Sequence, residues 1–277
     1  MHFAIYIATF IDNCSKLNPK EGIMKLKGKV AIVTGASSGI GRSIARLFAS
    51  HGAIVYAVAR REERLKALQE ETKDCVGKII PHTADLRNKD QAEHIITRAC
   101  EEQGKLDILV NNAGVMDDFS PIGEVSDEMM QNLTDINVMA PFYSTRKAVN
   151  CFLKQGGGNI INVSSIGGLH GARAGAAYTM SKHAIIGLTK NTGFMYARKN
   201  IRCNAICPGG VETEVGEGEY MKQMNQTGID TIMPSTCGNP RNGKSGEIAT
   251  IALFLATPES SFINGQSIVA DSGWTAF

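Results

Sequence analysis

No two of the seven cysteines in this sequence are spaced as C-x-x-C, and their number is odd. Cys14, Cys75, Cys100, Cys151, Cys203, Cys207 and Cys237 are scattered, and the closest pair, Cys203 and Cys207, has no companion pair at zinc spacing. Neither a disulfide framework nor a structural zinc is expected, and a reducing cytoplasm suits the chain best. The six histidines contain no H-E-x-x-H or similar pattern, so no metal site is expected. Charge of one sign is also missing. The 29 basic and 27 acidic residues leave +2, which gives no general attraction for nucleic acid or an anionic membrane. Long hydrophobic runs are absent as well. Phe3 to Ile11 covers nine residues, too few to span a bilayer. It has no basic segment before it and no small-residue cleavage site after it, so it is a poor signal peptide.

What is present is core material. The chain has 277 residues, 43% apolar and 20% charged, which excludes wholesale disorder. Its 29 glycines exceed the usual ~7%. Asp12, Asn13, Ser15, Asn18 and Pro19 break up the N-terminal segment, and Lys25 to Val30 reads as a domain opening. Residues 1–23 are expected to form an extension outside the fold, with an anchor or oligomer contact as the alternative, and residues 24–277 a single domain. From Val30 onward, short apolar runs alternate with helical patterns. Strands are expected at 30–33, 54–58, 78–82, 106–110, 159–163, 201–206 and 267–270. Helices are expected from about 40, and at 62–71, around 92–99, at 129–153 with a break near Asn137, at 176–196 and at 248–256. Strands that are continuously apolar imply a parallel sheet covered on both faces, here of about seven strands in a doubly wound three-layer α/β fold. The stretch 212–246 has no firm period, and a segment of that length is usually functional or mobile.

The first strand runs into Thr34-Gly35-Ala36-Ser37-Ser38-Gly39-Ile40-Gly41. Glycines spaced G-x-x-x-G-x-G at a strand-to-helix turn allow close approach of a pyrophosphate to helix N–H groups. No Gly-Lys-Ser/Thr ends the loop, which excludes a P-loop. The second strand ends in Ala59-Arg60-Arg61, without the acid that would hold the ribose 2′-OH of NAD. Arg60 can pair instead with a 2′-phosphate, so NADP(H) is expected over NAD(H). Tyr178 and Lys182 stand at i and i+4 on one helix face, where an ammonium could lower the phenol's pKa. Ser165, just past a strand end, can face the same point.

Taken together these residues resemble the short-chain dehydrogenase/reductase family, in its branch of about 250-residue single-domain members and including bacterial hydroxysteroid dehydrogenases. Thr34 to Gly41 resembles the family's TGxxxGxG loop, with Gly35, Ser37, Ser38, Gly39, Ile40 and Gly41 facing the cofactor. Asn111-Asn112-Ala113-Gly114 resembles NNAG, and Tyr178 with Lys182 resembles YxxxK. Ser165 and Asn137 match the active-site Ser and Asn. Pro208-Gly209-Gly210-Val211-Glu212-Thr213 resembles PGxVxT beside the nicotinamide, with Pro208, Gly209, Val211 and Thr213 as contacts, and Asp85-Leu86 the pair beside the adenine.

The resemblance implies a Rossmann-type fold and reversible hydride transfer between NADP(H) and an alcohol/ketone pair. Tyr178 would be the acid, Ser165 the carbonyl's donor and Lys182 the ribose ligand; Asn137 would support a proton-relaying water. It also implies a homo-oligomer, dimer or tetramer, in which Trp274 and Phe277 of the tail would be covered. A substrate lid is expected around 212–246. Candidate substrate contacts are His170, Leu169, Val115, Met116, Gly210 and Met221, with Met224 and Met233. The methionines suit a steroid or bile-acid-like alcohol. A β-ketoacyl group on acyl carrier protein, a sugar or polyol, and a catalytically silent NADP(H)-binding protein are the alternatives. For an acyl carrier, Arg173 and Lys222 would be weak basic support. Arg241 to Ala249 lacks the family's Pro and first Glu, and Asp271-Ser272-Gly273 replaces D-G-G.

Overall fold

The apolar runs become strands whose alternate residues enter two separate cores. In the computed structural model, which describes residues 24–214 and 218–277, the first strand is β1 (Val30–Thr34), followed by α1 (Gly39–Ser50) and β2 (Ile54–Ala59). Val30, Ile32, Tyr56 and Val58 pack into one cluster, while Ala31, Val33, Val55 and Ala57 pack into the other. A strand buried on both faces has no polar side to display, which is why these runs do not alternate. The expected N-terminal extension, 1–23, lies outside the described residues.

The remaining elements continue the alternation. They are α2 (Glu62–Glu71), β3 (Lys78–Thr83), α3 (Lys89–Gln103), β4 (Ile108–Asn111), α4 (Asp127–Leu133), α5 (Ala140–Gln155), β5 (Gly158–Val163), α6 (Ala176–Tyr196) and β6 (Ile201–Pro208). Then come β7 (Val211–Glu212), α7 (Gln226–Thr236), β8 (Gly243–Lys244), α8 (Ser245–Ala256) and β9 (Ser267–Ala270). Seven strands form one parallel sheet in the order β3-β2-β1-β4-β5-β6-β9. On one face lie Ile44 and Phe48 of α1 with Ile248 and Ala252 of α8. On the other lie Ile95 and Ile96 of α3 with Val149 and Phe152 of α5. The doubly wound α/β expectation is met.

Two features were not anticipated. The aperiodic stretch contains α7 and the small β7–β8 pair. Cys100 on α3 and Cys151 on α5 form a disulfide across 51 residues, because the two helices pack side by side on the sheet. One such pair is not a disulfide framework, and the pairing of these two residues was not anticipated. The break expected near Asn137 is a π-turn, Thr134–Met139, between α4 and α5. No helix among the described residues is long and apolar enough to cross a membrane.

Candidate active site

Strand order reverses direction between β1 and β4, and in such sheets a crevice opens at the carboxyl ends of the strands. Thr34, at the end of β1, stitches the two ends together. Its Oγ1 donates to the Val110 carbonyl at 3.2 Å and accepts from the N–H groups of Asn112 and Ala113 at 2.9 and 3.1 Å. Asn112 Nδ2 donates back to the Thr34 carbonyl at 2.9 Å. The Gly-rich turn lies directly on this stitch. Gly35 has φ +69°, and a Cβ there would stand 2.7 Å from Asn112 Nδ2 and 2.9 Å from Ala113 Cα. A Cβ on Gly41 would collide with the Gly35 carbonyl. Gly39, at φ +55°, faces Thr213, whose Cβ would be 3.1 Å from an added methyl. Three glycines therefore let main chain pack on main chain at a helix N-terminus, and the PGxVxT-like segment closes on Gly39 through Thr213.

On the β5 side of the crevice, Ser165 follows the strand and its Oγ accepts from Gly167 N at 3.0 Å. The Ser165 hydroxyl also hydrogen-bonds Tyr178 of α6. Lys182, one turn on, is 5% exposed, donates to the Val163 carbonyl at 3.1 Å, and sits 5.4 Å from the Tyr178 ring centre. Burial pushes Tyr178 up to about 12, with the Ser165 bond working against it and the charge of Asp117 with it. Burial likewise pulls Lys182 down to about 8. The expected lowering of the phenol by the ammonium is thus outweighed here by desolvation of both groups. Asn137 is brought to the same place by the π-turn, and its side chain is spent on structure. Oδ1 accepts from Val115 N at 2.9 Å, and Nδ2 donates to the Val115 carbonyl at 2.9 Å and to Ser181 Oγ at 3.0 Å. Gly114 leaves room between Asn137 and Lys182, since a Cβ on it would lie 3.1 Å from Asn137 Oδ1 and 3.4 Å from Lys182 Nζ.

The model for short chain dehydrogenases matches residues 29–223. This chain belongs to the short chain dehydrogenase family. It is 43% identical over 253 residues to 3beta-hydroxysteroid dehydrogenase 2 of Eggerthella lenta, covering 91% of this chain and 96% of that one. It is 35% identical over 250 residues to the 3-oxoacyl-(acyl-carrier-protein) reductase FabG of Thermotoga maritima, covering 90% and 99%. Among solved structures, actinorhodin polyketide ketoreductase with NADPH superposes with a TM-score of 0.79 at 32% identity, covering 90% and 98%. The protein is accordingly an oxidoreductase of the family that acts on alcohol and ketone groups.

Other expected residues of this short chain dehydrogenase are placed less simply. Arg60 is exposed and acts on Asp85, whose carboxyl is held low chiefly by its bonds to Arg87. Arg61, not Arg60, lies on the glycine loop, where Nη2 donates to Ser37 Oγ at 3.0 Å and to Ser38 Oγ at 2.9 Å. Arg61 also pairs with Glu214 at 3.2 Å, and Arg64 reaches the same carboxylate at 2.6 Å. Leu86 is buried, and Gly209 N donates to the Ala270 carbonyl at 3.0 Å. Val211 packs against the α1–α8 core.

The substrate candidates divide. Val115 and Met116 are half-buried beside the crevice, and Met221 is half-buried in the short turn Tyr220–Lys222. Gly210 lies against the Asn239 and Asn242 side chains. Leu169 packs with Ile186, Ala205 and Cys207. His170 is exposed, as are Met224 (47%) and Met233 (54%), so the outer methionines point away from an apolar lining. Tyr220 was missed. It packs against the small buried cluster of Met129, Leu133 and Ala177, as Val115 and Tyr178 do, and its hydroxyl accepts from Asn132 Nδ2 at 3.3 Å. Its signal was available, because it is the one aromatic residue in 212–246. Trp274 is corrected too. It is 9% exposed, covered by the chain itself, with the Arg173 guanidinium 4.6 Å from its ring centre and its Nε1 donating to the Ser235 carbonyl at 2.9 Å. Phe277 remains fully exposed. Ser272 stands at φ 60°, the conformation that explains why glycine is common at that position.

Proposed function

We propose that the protein interconverts a secondary alcohol and a ketone with NADP(H), and that its substrate is a hydroxysteroid or a similarly rigid apolar alcohol. The observation that carries the reaction is the convergence of the Ser165 hydroxyl, the Tyr178 phenol and Lys182 at the carboxyl end of β5, next to the glycine cradle. The turn fits a dinucleotide, because Gly35, Gly39 and Gly41 let its main chain close on Asn112, Ala113 and Thr213 with no side chain of their own beside the N–H groups of the helix N-terminus. Gly35 to Gly41, Asn112, Ala113, Gly114, Pro208, Gly209, Val211 and Thr213 would line it, with Asp85 and Leu86 at the adenine end. When bound, the nicotinamide supplies or accepts the hydride. In reduction, Ser165 donates a hydrogen bond to the carbonyl oxygen and Tyr178 gives its proton to the developing alkoxide. A phenol held near 12 is well kept in the protonated form that this step needs. Lys182 holds the nicotinamide ribose, and Asn137 anchors the Val115 main chain beneath the substrate.

The NADP(H) preference rests on the missing acid after β2 and on Arg61, which bonds Ser37 and Ser38 beside the glycine turn. The steroid class is supported by the apolar cluster that Val115 and Tyr220 join beside Tyr178, and by the named activity of the Eggerthella relative. An acyl-carrier partner loses support because Arg173 is engaged by Trp274 and the Ser235 carbonyl. The segment 212–246 serves as the lid of this pocket. An apolar groove of about 200 Å³ between Val138, Met139, Phe142, Ala184, Ile185 and Leu188 supports a homo-oligomer, and a monomer's mass on gel filtration would count against it. The decisive experiment is Tyr178→Phe. Turnover should fall at least ~100-fold, the scale of general acid–base catalysis, while NADPH affinity stays within twofold of wild type. A variant with near-normal turnover on every carbonyl tested would defeat the proposal.

A further inference from the structure

The helix that carries Tyr178 has no cap of its own. Gly175 is the N-cap of α6, has no side chain to offer, and no acid lies in the first turn. The cap arrives from the loop after β4. Asp117, with none of its surface exposed, accepts from Tyr178 N through Oδ2 at 2.8 Å and from Gly175 N through Oδ1 at 3.1 Å. These are the N3 and N-cap donors, the pair that a capping box serves with two side chains. A third N–H, that of Phe119, reaches Oδ1 at 3.2 Å. No described Lys, Arg or His pairs with the carboxylate, so its partners are main-chain N–H groups at a helix N-terminus. The fit is tight. A Cβ on Gly175 would stand 2.6 Å from Asp117 Oδ2 and 2.7 Å from the Phe119 carbonyl carbon.

The geometry points to Asp117 as a positioning residue for the reaction, one that fixes the first turn of α6 and with it the height of Tyr178 at the crevice. This rests on the reading of Tyr178 as the acid and base. The hydrogen-bonding, titratable and charged groups that act on Tyr178 are Ser165 from the β5–α6 connection, Lys182 from its own helix, Cys207 from β6 and Asp117. Of these only Asp117 brings a negative charge at neutral pH; Asp118 adjoins it. The loop also reaches the lid. Asn225 N donates to the Asp118 carbonyl at 2.7 Å, and a Cβ on Gly228 would collide with the Phe119 carbonyl. One short loop therefore braces both the catalytic helix and α7.

The test compares wild type, Asp117→Asn and Tyr178→Phe as full-length proteins, in NADP-linked oxidation of a secondary alcohol. Asp117→Asn keeps the size, removes the charge and turns one accepting oxygen into an NH2 that faces a main-chain N–H. Its kcat should fall roughly 10- to 100-fold, the cost of a slightly misplaced group, with NADPH affinity unchanged. The tyrosinate absorbance that disappears in the Tyr178→Phe background should begin at lower pH than in wild type. A purely structural cap would lower the folded fraction and leave that titration where it was, and this result overturns the proposal. If Asp117→Asn does not fold, Gly175→Ala, which presses on the same carboxylate without removing its charge, should still lower kcat with NADPH affinity kept; normal kcat there overturns the proposal as well. Should Tyr178→Phe itself turn over normally, the reading of Tyr178 has failed rather than the role of Asp117.

Discussion

The β1–β4 half of the crevice and the β6–α8 half are built by opposite means. Around Thr34, Gly35 and Asn112, main chain lies against main chain, and even a methyl group has no room. Around Tyr220, Met221 and α7, side chains share the contacts with one close main-chain seat at Gly228, Met224 and Met233 stand exposed, and Gly238 has ordinary clearance. Under the proposed function, the first half presents one backbone shape to the cofactor, and the second closes on the substrate and releases it. Such segments come from the less strongly anchored parts of a fold.

The largest expected effect lies where the halves meet. Lys182 is buried with its pKa down at about 8 against an ordinary 10.5. Between these values the unfolded chain holds a proton that the folded protein lacks, so stability rises with pH across that window and the penalty is fully present below pH 8. Lys182→Met should therefore be more stable than wild type below pH 8, by up to about 3 kcal/mol, with the advantage fading by pH 10.5. Turnover should be lost. Thermal unfolding at several pH values checks this, and a variant less stable than wild type at pH 7 would mean that the Val163 bond outweighs desolvation.

The two halves also predict opposite responses to one substitution. Gly41→Ala forces a methyl onto the Gly35 carbonyl and should cost about 1–3 kcal/mol, together with most NADPH affinity. Gly238→Ala meets nothing closer than 3.7 Å and has no positive φ, so it should be neutral or slightly stabilising, by up to about 1 kcal/mol. Denaturant melts of the pair test the contrast directly. Equal losses would erase it.

The same contrast explains what could be read from the amino-acid string. The sheet was legible because strands buried on both faces must be continuously apolar, and the glycine loop because few residue types fit it. Asn137 was legible as a break, although only the fold shows that a π-turn aims it at Val115. Helix α7 was hidden because Gly228 and Pro234 dilute its period; it is set instead by the Asn225 cap, whose Oδ1 accepts from Gly228 N at 2.9 Å, and by its seat on Phe119. Asp117 carried no signal in the sequence, since its three partners lie on a segment far along the chain or beside it. Cys100 and Cys151 read as unrelated thiols for the same reason.

The smallest effect concerns the seam between the halves, where sequence and structure favour different arginines. Arg60 follows the strand end at which a 2′-phosphate would be read, yet Arg61 makes the contacts to Ser37 and Ser38 and joins them to Glu214 of the lid segment. If Arg61 reads the phosphate, Arg61→Ala should raise the KM for NADPH about tenfold, the worth of one charge-assisted hydrogen bond, and leave the KM for NADH nearly unchanged. Arg60→Ala should then do much less. Steady-state kinetics with both cofactors decide between them, and a loss confined to Arg60→Ala would return the role to the residue named by strand position. The Glu214 carboxylate sharpens the comparison further. It holds Arg61 and Arg64 in the way a phosphate would, so Glu214→Gln should lower the KM for NADPH if it competes for Arg61, and raise it if its task is to aim that side chain.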